Sequence, residues 1–265
     1  MQPFIKWVGG KRQLLDKIKE SLPDSYNHYY EPFIGGGAVL FGIAPENATI
    51  NDINTELIHT YKTIKQYPYE LLEQITKLDS ENCDKNLYLQ NRNRYNQKIT
   101  NKEYDIELAA LFIWINKHCF NGVYRVNSKG LFNVPYNGAG NIQTVHSENL
   151  LEISNYLQKV NILNQDFESI FESTQKGDFI FFDSPYDNSF TDYSKSGFDK
   201  EDHERLAELF KRLHAKGCYC MLTNHNTDLI RELYKDFFIE EINVKRFINR
   251  NGDGRQGVEI IIKNY

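Results

Sequence analysis

The segment HYYEPFIGGGAVLFGIAPENATIND, His28 to Asp52, restricts the fold more than any other part of the chain. An aromatic run meets three consecutive glycines, an apolar helical stretch follows, and a second short apolar run ends on an acid. Strand, tight turn, helix and strand is the reading that fits, a βαβ unit in miniature. Glycine permits the turn and leaves backbone N–H groups open to close approach by a ligand. Asp52 lies seventeen positions beyond Gly35, near the spacing at which an acid receives ribose hydroxyls. Ligands of open α/β sheets gather beyond the carboxyl ends of strands. Phe33, Gly35, Gly36, Gly37 and Asp52 are therefore candidate contacts for an adenosine-containing cofactor. A P-loop does not fit, because Gly9-Gly10-Lys11 is followed by Arg12 and Ile5 stands where the first glycine should be.

The rest of the chain extends this unit. From about Leu57 to Asn141 the pattern becomes helical, polar and tyrosine-rich at first (ELLEQITKL, NLYLQNRNRYNQ), then strongly apolar (ELAALFIWINKH). NGVYRVNSKGLFNVPYN follows and predicts two short strands about the turn NSKG, with Gly130 at positive φ. Alternation then resumes: NLLEISNYLQK (helix), VNILNQD (strand), DFIFFDS (strand), DKEDHERLAELFKRLHAKG (helix, N-cap Asp199, C′ Gly217), CYCMLTN (strand), TDLIRELYKDF (helix). FIEEINVKRF and VEIIIKNY close as a hairpin about NRNGDGRQ. The expected architecture is one sheet layered by helices, with residues 1–56 and 145–265 interrupted by an inserted block, 57–144.

Composition narrows the partners. With 265 residues, 40% of them hydrophobic, the chain can bury a full core. It has no apolar run long enough to span a bilayer, and MQPFIKWVGGK lacks the apolar centre of a signal peptide, so a cytoplasmic protein is expected. Four scattered cysteines suggest neither disulfides nor a zinc site; alternation places Cys218 and Cys220 on one sheet face as buried thiols. The net charge of −5 opposes wholesale coating of nucleic acid, yet Lys85 to Gly130 holds eight basic residues against three acids. Asn243 to Gly257 holds four against one. Such local excesses can grip a polyanion.

Five ordered motifs, KWVGGK (Lys6 to Lys11), EPFIGGG (Glu31 to Gly37), NDIN (Asn51 to Asn54), FNGVYRVNSKGLFNVPY (Phe120 to Tyr136) and DSPY (Asp183 to Tyr186), give the chain its resemblance to the Dam-type DNA adenine-N6 methyltransferases. The resemblance spans nearly the whole sequence. It implies a Rossmann-like fold, a seven-stranded mostly parallel sheet with helices on both faces and its last strand antiparallel, plus an inserted helical DNA-recognition domain with a β-hairpin. It implies S-adenosyl-L-methionine as cofactor, contacted by Trp7, Lys11, the EPF–GGG turn from Pro32 to Gly37, Asp52, Asp166, Phe167 and Asp183. Double-stranded DNA is the implied partner, with GATC as the site. No metal and no membrane are required, a monomer suffices, and a cognate restriction endonuclease is a possible companion.

In the resemblance, the apolar strand FIFF carries the chemistry at its tip. An adenine amine is a poor nucleophile because its lone pair is delocalised into the ring. The Asp183 side chain and the Ser184 carbonyl would each accept one N–H of the amine, the charged acceptor forming the stronger bond. Pro185 completes the turn, and the Tyr186 ring would stack on a base flipped from the duplex. Ser184 stands where the family has proline, which relaxes φ but keeps the carbonyl. Phe120 matches the aromatic that wedges into the base stack, with Asn121 and Val123 beside it; Arg125 matches the reader of a guanine and Pro135 a base-contacting proline. Arg92, Arg94 and Lys117 are candidate phosphate contacts by charge. The loop Asp187 to Phe198 is expected to close over the flipped base. Rival readings are an amino methyltransferase for cytosine N4, RNA or a protein side chain, a catalytically weakened DNA-binding homologue and a nicotinamide oxidoreductase; the last leaves DSPY and the hairpin unexplained.

Overall fold

In the computed structural model, residues 1–187, 198–245 and 256–265 are described. The turn NRNGDGRQ up to Arg255, most of the loop after Asp187 and three of the four basic residues between Asn243 and Gly257 fall outside them. The amino-terminal helix α1 (Leu15–Glu20) leads into β1 (Tyr29–Glu31), α2 (Ala38–Ile43) and β2 (Ala48–Asn51). Four helices follow, α3 (Thr55–Gln66), α4 (Pro68–Asp79), α5 (Lys85–Asn101) and α6 (Ile106–His118). After the turn formed by residues 120–136, which the resemblance assigns to recognition, come α7 (Ser147–Leu157), β3 (Val160–Leu163), α8 (Ile170–Ser173), β4 (Phe179–Phe182), α9 (Lys200–Lys216), β5 (Tyr219–His225), α10 (Asp228–Leu233), β6 (Phe238–Lys245) and β7 (Gln256–Lys263).

The seven strands form one sheet in the order β3-β2-β1-β4-β5-β7-β6. All pairs are parallel except those of β7, which runs antiparallel to both β5 and β6. Chain order reverses between β1 and β4, so the loops leaving these two strands border the crevice where such sheets bind ligands.

Side-chain alternation divides the core in two. Phe179, Phe181, Met221 and Ile261 face one buried cluster; Ile180, Phe182, Cys220, Leu222, Ile260 and Ile262 face the other, under α8, α9 and α10. Strand β4 is therefore apolar throughout because both its faces are covered. Burying each such side chain contributes about 1.5–3 kcal/mol. All four cysteines are buried and free, and Cys218 and Cys220 share one cluster as alternation requires. Helix α9 is bounded as its sequence predicts, by a capping box between Asp199 and Asp202 and by Gly217 at φ 85°.

The helical block grows directly out of the sheet's first core, which runs without a break from Phe179 through Tyr61 to Trp114 and Tyr88. Its centre is α6, in which every residue from Leu108 to Asn116 is buried. The expected hairpin is reduced. Instead of two strands there are single bridges, Val126 to Phe132 and Cys119 to Tyr136, about a turn with Gly130 at φ 75°. The two arms still pair through Asn127 N–H to the Leu131 carbonyl (2.9 Å) and Asn133 N–H to the Arg125 carbonyl (3.2 Å), and α5 holds the outer edge of the second arm. Asn96 donates to the Phe132 carbonyl (3.0 Å) and accepts from its N–H (2.9 Å), while Tyr88 and Arg92 donate to the Val134 carbonyl at 2.8 and 3.1 Å. These groups of Phe132 and Val134 point away from the first arm, so side chains of a helix satisfy the free edge of the hairpin.

Candidate active site

The rim of the crevice is organised by Asp52. Its Oδ2 accepts the Gly35 N–H (3.1 Å) and its Oδ1 the Asn54 N–H (3.0 Å). Burial pushes this carboxyl up to about 6 although the backbone donors pull it down. The glycines answer a steric demand from the amino-terminal motif as well as a conformational one. A Cβ on Gly35, at φ 47°, would lie 2.7 Å from the Trp7 indole, and one on Gly36 would lie 3.0 Å from Trp7 Cβ. Trp7 in turn stacks on Tyr124 of the recognition turn, ring centroids 5.5 Å apart. Beyond β3, Asp166 caps the short turn carrying Phe167, and the rings of Phe33, Phe167 and Phe198 cluster within 6.0 Å of one another. Pro32 is held through its carbonyl by Asn51.

At the tip of β4 the described residues engage the Asp183 carboxylate on one oxygen. Oδ1 lies 2.6 Å from Lys11 Nζ and accepts the Thr223 hydroxyl at 3.0 Å. Burial raises this carboxyl above the usual range, opposed by the Lys11 ammonium and the two hydrogen bonds. Lys11 is 4% exposed and also donates to the Gly9 carbonyl at 2.5 Å. Its ammonium sits 4.5 Å from the centre of the Tyr186 ring. The structure thus brings the KWVGGK lysine to the acid of DSPY, a pairing that the resemblance, which groups Lys11 with the cofactor contacts, leaves unstated. Tyr186 donates to Glu259 on β7 (2.9 Å) and meets the His225 ring edge-on (4.8 Å). Ser184 is 2% exposed, and its hydroxyl has no hydrogen-bond partner among the described residues. Beneath the tip lies Glu31, accepting from Tyr29 (2.7 Å), its carboxyl pushed up to about 8 by burial.

The recognition turn displays its candidate readers on a buried apolar base of Tyr124, Phe132 and Val134. Phe120 is 55% exposed, and Asn121 beside it takes the left-handed conformation at φ 56°. Asn is one of the few side chains that adopt it readily. Phe120 N–H donates to the carbonyl of Pro135, which is exposed, and Val123 is half-buried. Arg125 is oriented from one edge, Nε donating to Asn133 Oδ1 at 2.8 Å and Nη2 reaching Asn133 O at 3.5 Å. The candidate phosphate residues differ among themselves. Arg92 turns inward to Val134, Arg94 pairs with Glu107, and Lys117 is half-buried, its ammonium lowered to about 8 by burial and by the Lys6 and Arg12 cations.

Several supporting residues carry no motif signal. Asn51 ties three loops together, donating to the Pro32 and Gln165 carbonyls (3.1 and 2.9 Å) and accepting from Gln165 N–H (2.9 Å). Tyr61 holds the Gly35 carbonyl at 3.0 Å. Thr223 could have been suspected from its place at the end of the strand beside DSPY; Glu259 and Tyr61 could not. Among the described residues no group of three or more His, Cys, Asp or Glu side chains could hold a metal, and no helix is long and apolar enough to cross a membrane.

Comparison with known proteins agrees with this geometry. The chain is 43% identical to the type II methyltransferase M1.LlaDCHI of Lactococcus lactis subsp. cremoris, over all of this chain and 96% of that protein. It is 38% identical to the type II methyltransferase M.MjaIII of Methanocaldococcus jannaschii, over all of this chain and 99% of the relative. To a DNA adenine methylase of Haemophilus influenzae it is 31% identical, covering 98% and 92%. The sequence profile of one family matches residues 7–248, which hold every motif of the crevice and the recognition turn except Lys6 at its amino-terminal edge. With the switch-point crevice, the acid-tipped strand and the turn beside it, that match makes this chain a member of the D12 class N6 adenine-specific DNA methyltransferases.

Proposed function

We propose that the protein transfers the methyl group of S-adenosyl-L-methionine to N6 of an adenine flipped out of duplex GATC. The observation that carries this reading is the asymmetric engagement of Asp183: Lys11 and Thr223 both take Oδ1. Oδ2 is then the acceptor for one amine N–H, and the Ser184 carbonyl for the other. Lys11 opposes the effect of burial and favours an ionised Asp183. Tyr186, steered by Glu259 and His225, offers its ring to the everted base.

The rim residues fit an adenosyl cofactor. Gly35 and Gly36 are packed so closely under Trp7 that no side chain fits there. Asp52 presents a carboxylate next to Ile53, whose 62% exposed apolar side chain is available to pack against an adenine ring. Asp166, Phe167, Phe33 and Pro32 close the opposite side. When bound, the cofactor supplies an electrophilic methyl group on sulfur; the protein's part is to hold the amine in line and exclude water.

Residues 57–144 form the target-recognition insertion of residues 1–56 and 145–265. Phe120 wedges into the stack, Asn121, Val123 and Pro135 touch bases, and the outer edge of Arg125 reads a guanine; Arg92 and Lys117 support the backbone contact. The proposed setting is the cytoplasm, on DNA and beside a cognate restriction endonuclease; two relatives are named type II methyltransferases. The loop from Asp187 to Phe198 lies mostly outside the described residues. Radiolabelled methyl transfer to duplexes carrying GATC or each single-base variant tests the reading. Incorporation at N6 of adenine confined to GATC is expected. Equal incorporation into all variants would refute the site, and label in cytosine would refute the substrate.

A further inference from the structure

Arg205 belongs to none of the five motifs, yet it grips both members of the Asp166–Phe167 pair. Its Nη2 lies 2.9 Å from Asp166 Oδ1 and 3.0 Å from Glu168 Oε2, its Nη1 lies 2.9 Å from Asp202 Oδ1, and its Cζ stands 4.7 Å from the centre of the Phe167 ring. Its partners are themselves fixed. Asp202 spends its other oxygen on the Asp199 N–H in the capping box of α9, and Asp166 Oδ1 also accepts the Glu168 N–H. Phe33 and Phe198 pack against the same phenyl ring at 5.3 and 6.0 Å.

Exposed ion pairs contribute little to folding, and the Arg205 side chain is 40% exposed. The consequence of the arrangement is geometric instead. A planar guanidinium that bonds a carboxylate with one nitrogen while stacking on a ring sets the angle between the two, which a lysine, a flexible point charge, cannot do. With Oδ1 held by Arg205, Asp166 Oδ2 is left as acceptor for an exocyclic amine lying along the Phe167 edge of the crevice.

We infer that Arg205 is a positioning residue for the adenine end of the cofactor, setting both its affinity and the preference for a 6-amino over a 6-oxo purine. This rests on the reading of Asp166 and Phe167 as adenine contacts, and the test separates the two. Calorimetric titration of the full-length protein with S-adenosylhomocysteine and with S-inosylhomocysteine is made on the wild type, Arg205→Ala, Arg205→Lys, Asp166→Asn and Phe167→Ala. Arg205→Ala is expected to raise Kd for the adenosyl ligand about tenfold, and to lower its advantage over the inosyl ligand by at least threefold. Arg205→Lys should recover little of either. At saturating cofactor and DNA, kcat should stay within twofold of wild type while KM for S-adenosylmethionine rises. An Arg205→Ala Kd within twofold of wild type, with Asp166→Asn and Phe167→Ala both weakened, overturns the role of Arg205 alone. If none of the variants changes Kd, the adenine-end reading falls with it. Equal weakening of both ligands by Arg205→Ala would reduce Arg205 to a structural support and also overturn the inference.

Discussion

The tip of β4 and the recognition turn are held by opposite means. The tip rises from four fully buried residues, Phe179 to Phe182, in the middle of the sheet, and its polar groups are tied to neighbouring strands and the amino-terminal motif: Asp183 to Thr223 and Lys11, Tyr186 to Glu259. The turn has one bridge within it, from Val126 to Phe132, and depends on amide and phenol side chains of α5. The contrast fits the two tasks proposed above. Methyl transfer tolerates little error in the position of an acceptor, so the acceptor stands on a strand whose register is fixed on both sides. Base reading requires side chains that settle into a groove, and a turn hung on side-chain hydrogen bonds can adjust while its apolar base stays buried.

The strongest way to break the comparison is at the tip. Asp183→Ala should lower kcat by about 10²–10³-fold or more, the scale seen when one preorganised polar partner of a transition state is removed, while cofactor and DNA affinities change only a few-fold. Methyl incorporation with parallel binding titrations checks this. At the turn, Arg125→Ala should cost about 1–3 kcal/mol at one base position, leaving scrambled duplexes bound as before; competition binding against single-base variants measures it. Asn96→Ala separates support from reading. It strips the Phe132 N–H and carbonyl of their partners, at about 1–3 kcal/mol for groups left unsatisfied. Thermal unfolding should show that loss, and discrimination among DNA sequences should fall without any change in cofactor Kd.

Much of the sheet was legible because its signals are local. Glycines follow an aromatic run, FIFF is apolar on both faces, and Asp199 and Gly217 bound their helix within a few residues of what they cap. The two arms expected around NSKG pair only through a single bridge, and the outer edge of the second arm is satisfied by side chains of α5, 36 to 46 residues earlier. No periodicity within the turn records them. The site divides in the same way. Asp183, Tyr186, Asp52 and Arg125 sit in recognisable strings, whereas Thr223, Glu259, Tyr61 and Arg205, which hold Asp183, Tyr186, Gly35 and Asp166, are partners only in three dimensions.

Glu31 tests the tip through pH. Its folded carboxyl, at about 8, lies above the ordinary 4.5, so the neutral form is the one the fold favours. Its contribution is complete below pH 4.5 and is lost as pH rises towards 8. Glu31→Gln keeps an acceptor for Tyr29 and removes the titration. The Tm of the variant relative to wild type should therefore climb between pH 5 and pH 8, by about 2–4 °C for each kcal/mol involved. Asp52, raised to about 6, bends both curves alike and cancels in the difference. A constant gap across that range would mean that Glu31 is ionised in the fold.

The smallest expected effect is at Ser184, where the tip departs from its family. Its buried hydroxyl has no partner among the described residues, and its backbone lacks the φ restriction of proline. Ser184→Pro removes an unsatisfied group and narrows the unfolded ensemble, two changes that each favour the fold by about 0.5–1 kcal/mol where the native φ is compatible. The acceptor carbonyl is retained in either residue, and Asp183 keeps its bonds to Lys11 and Thr223. Thermal unfolding should thus show a rise of a few degrees, and single-turnover methylation should show a rate equal to or slightly above wild type. A collapse of the rate with Tm unchanged would show that this tip needs the freedom serine gives it, and would place the rigidity of the catalytic strand below, not at, its final turn.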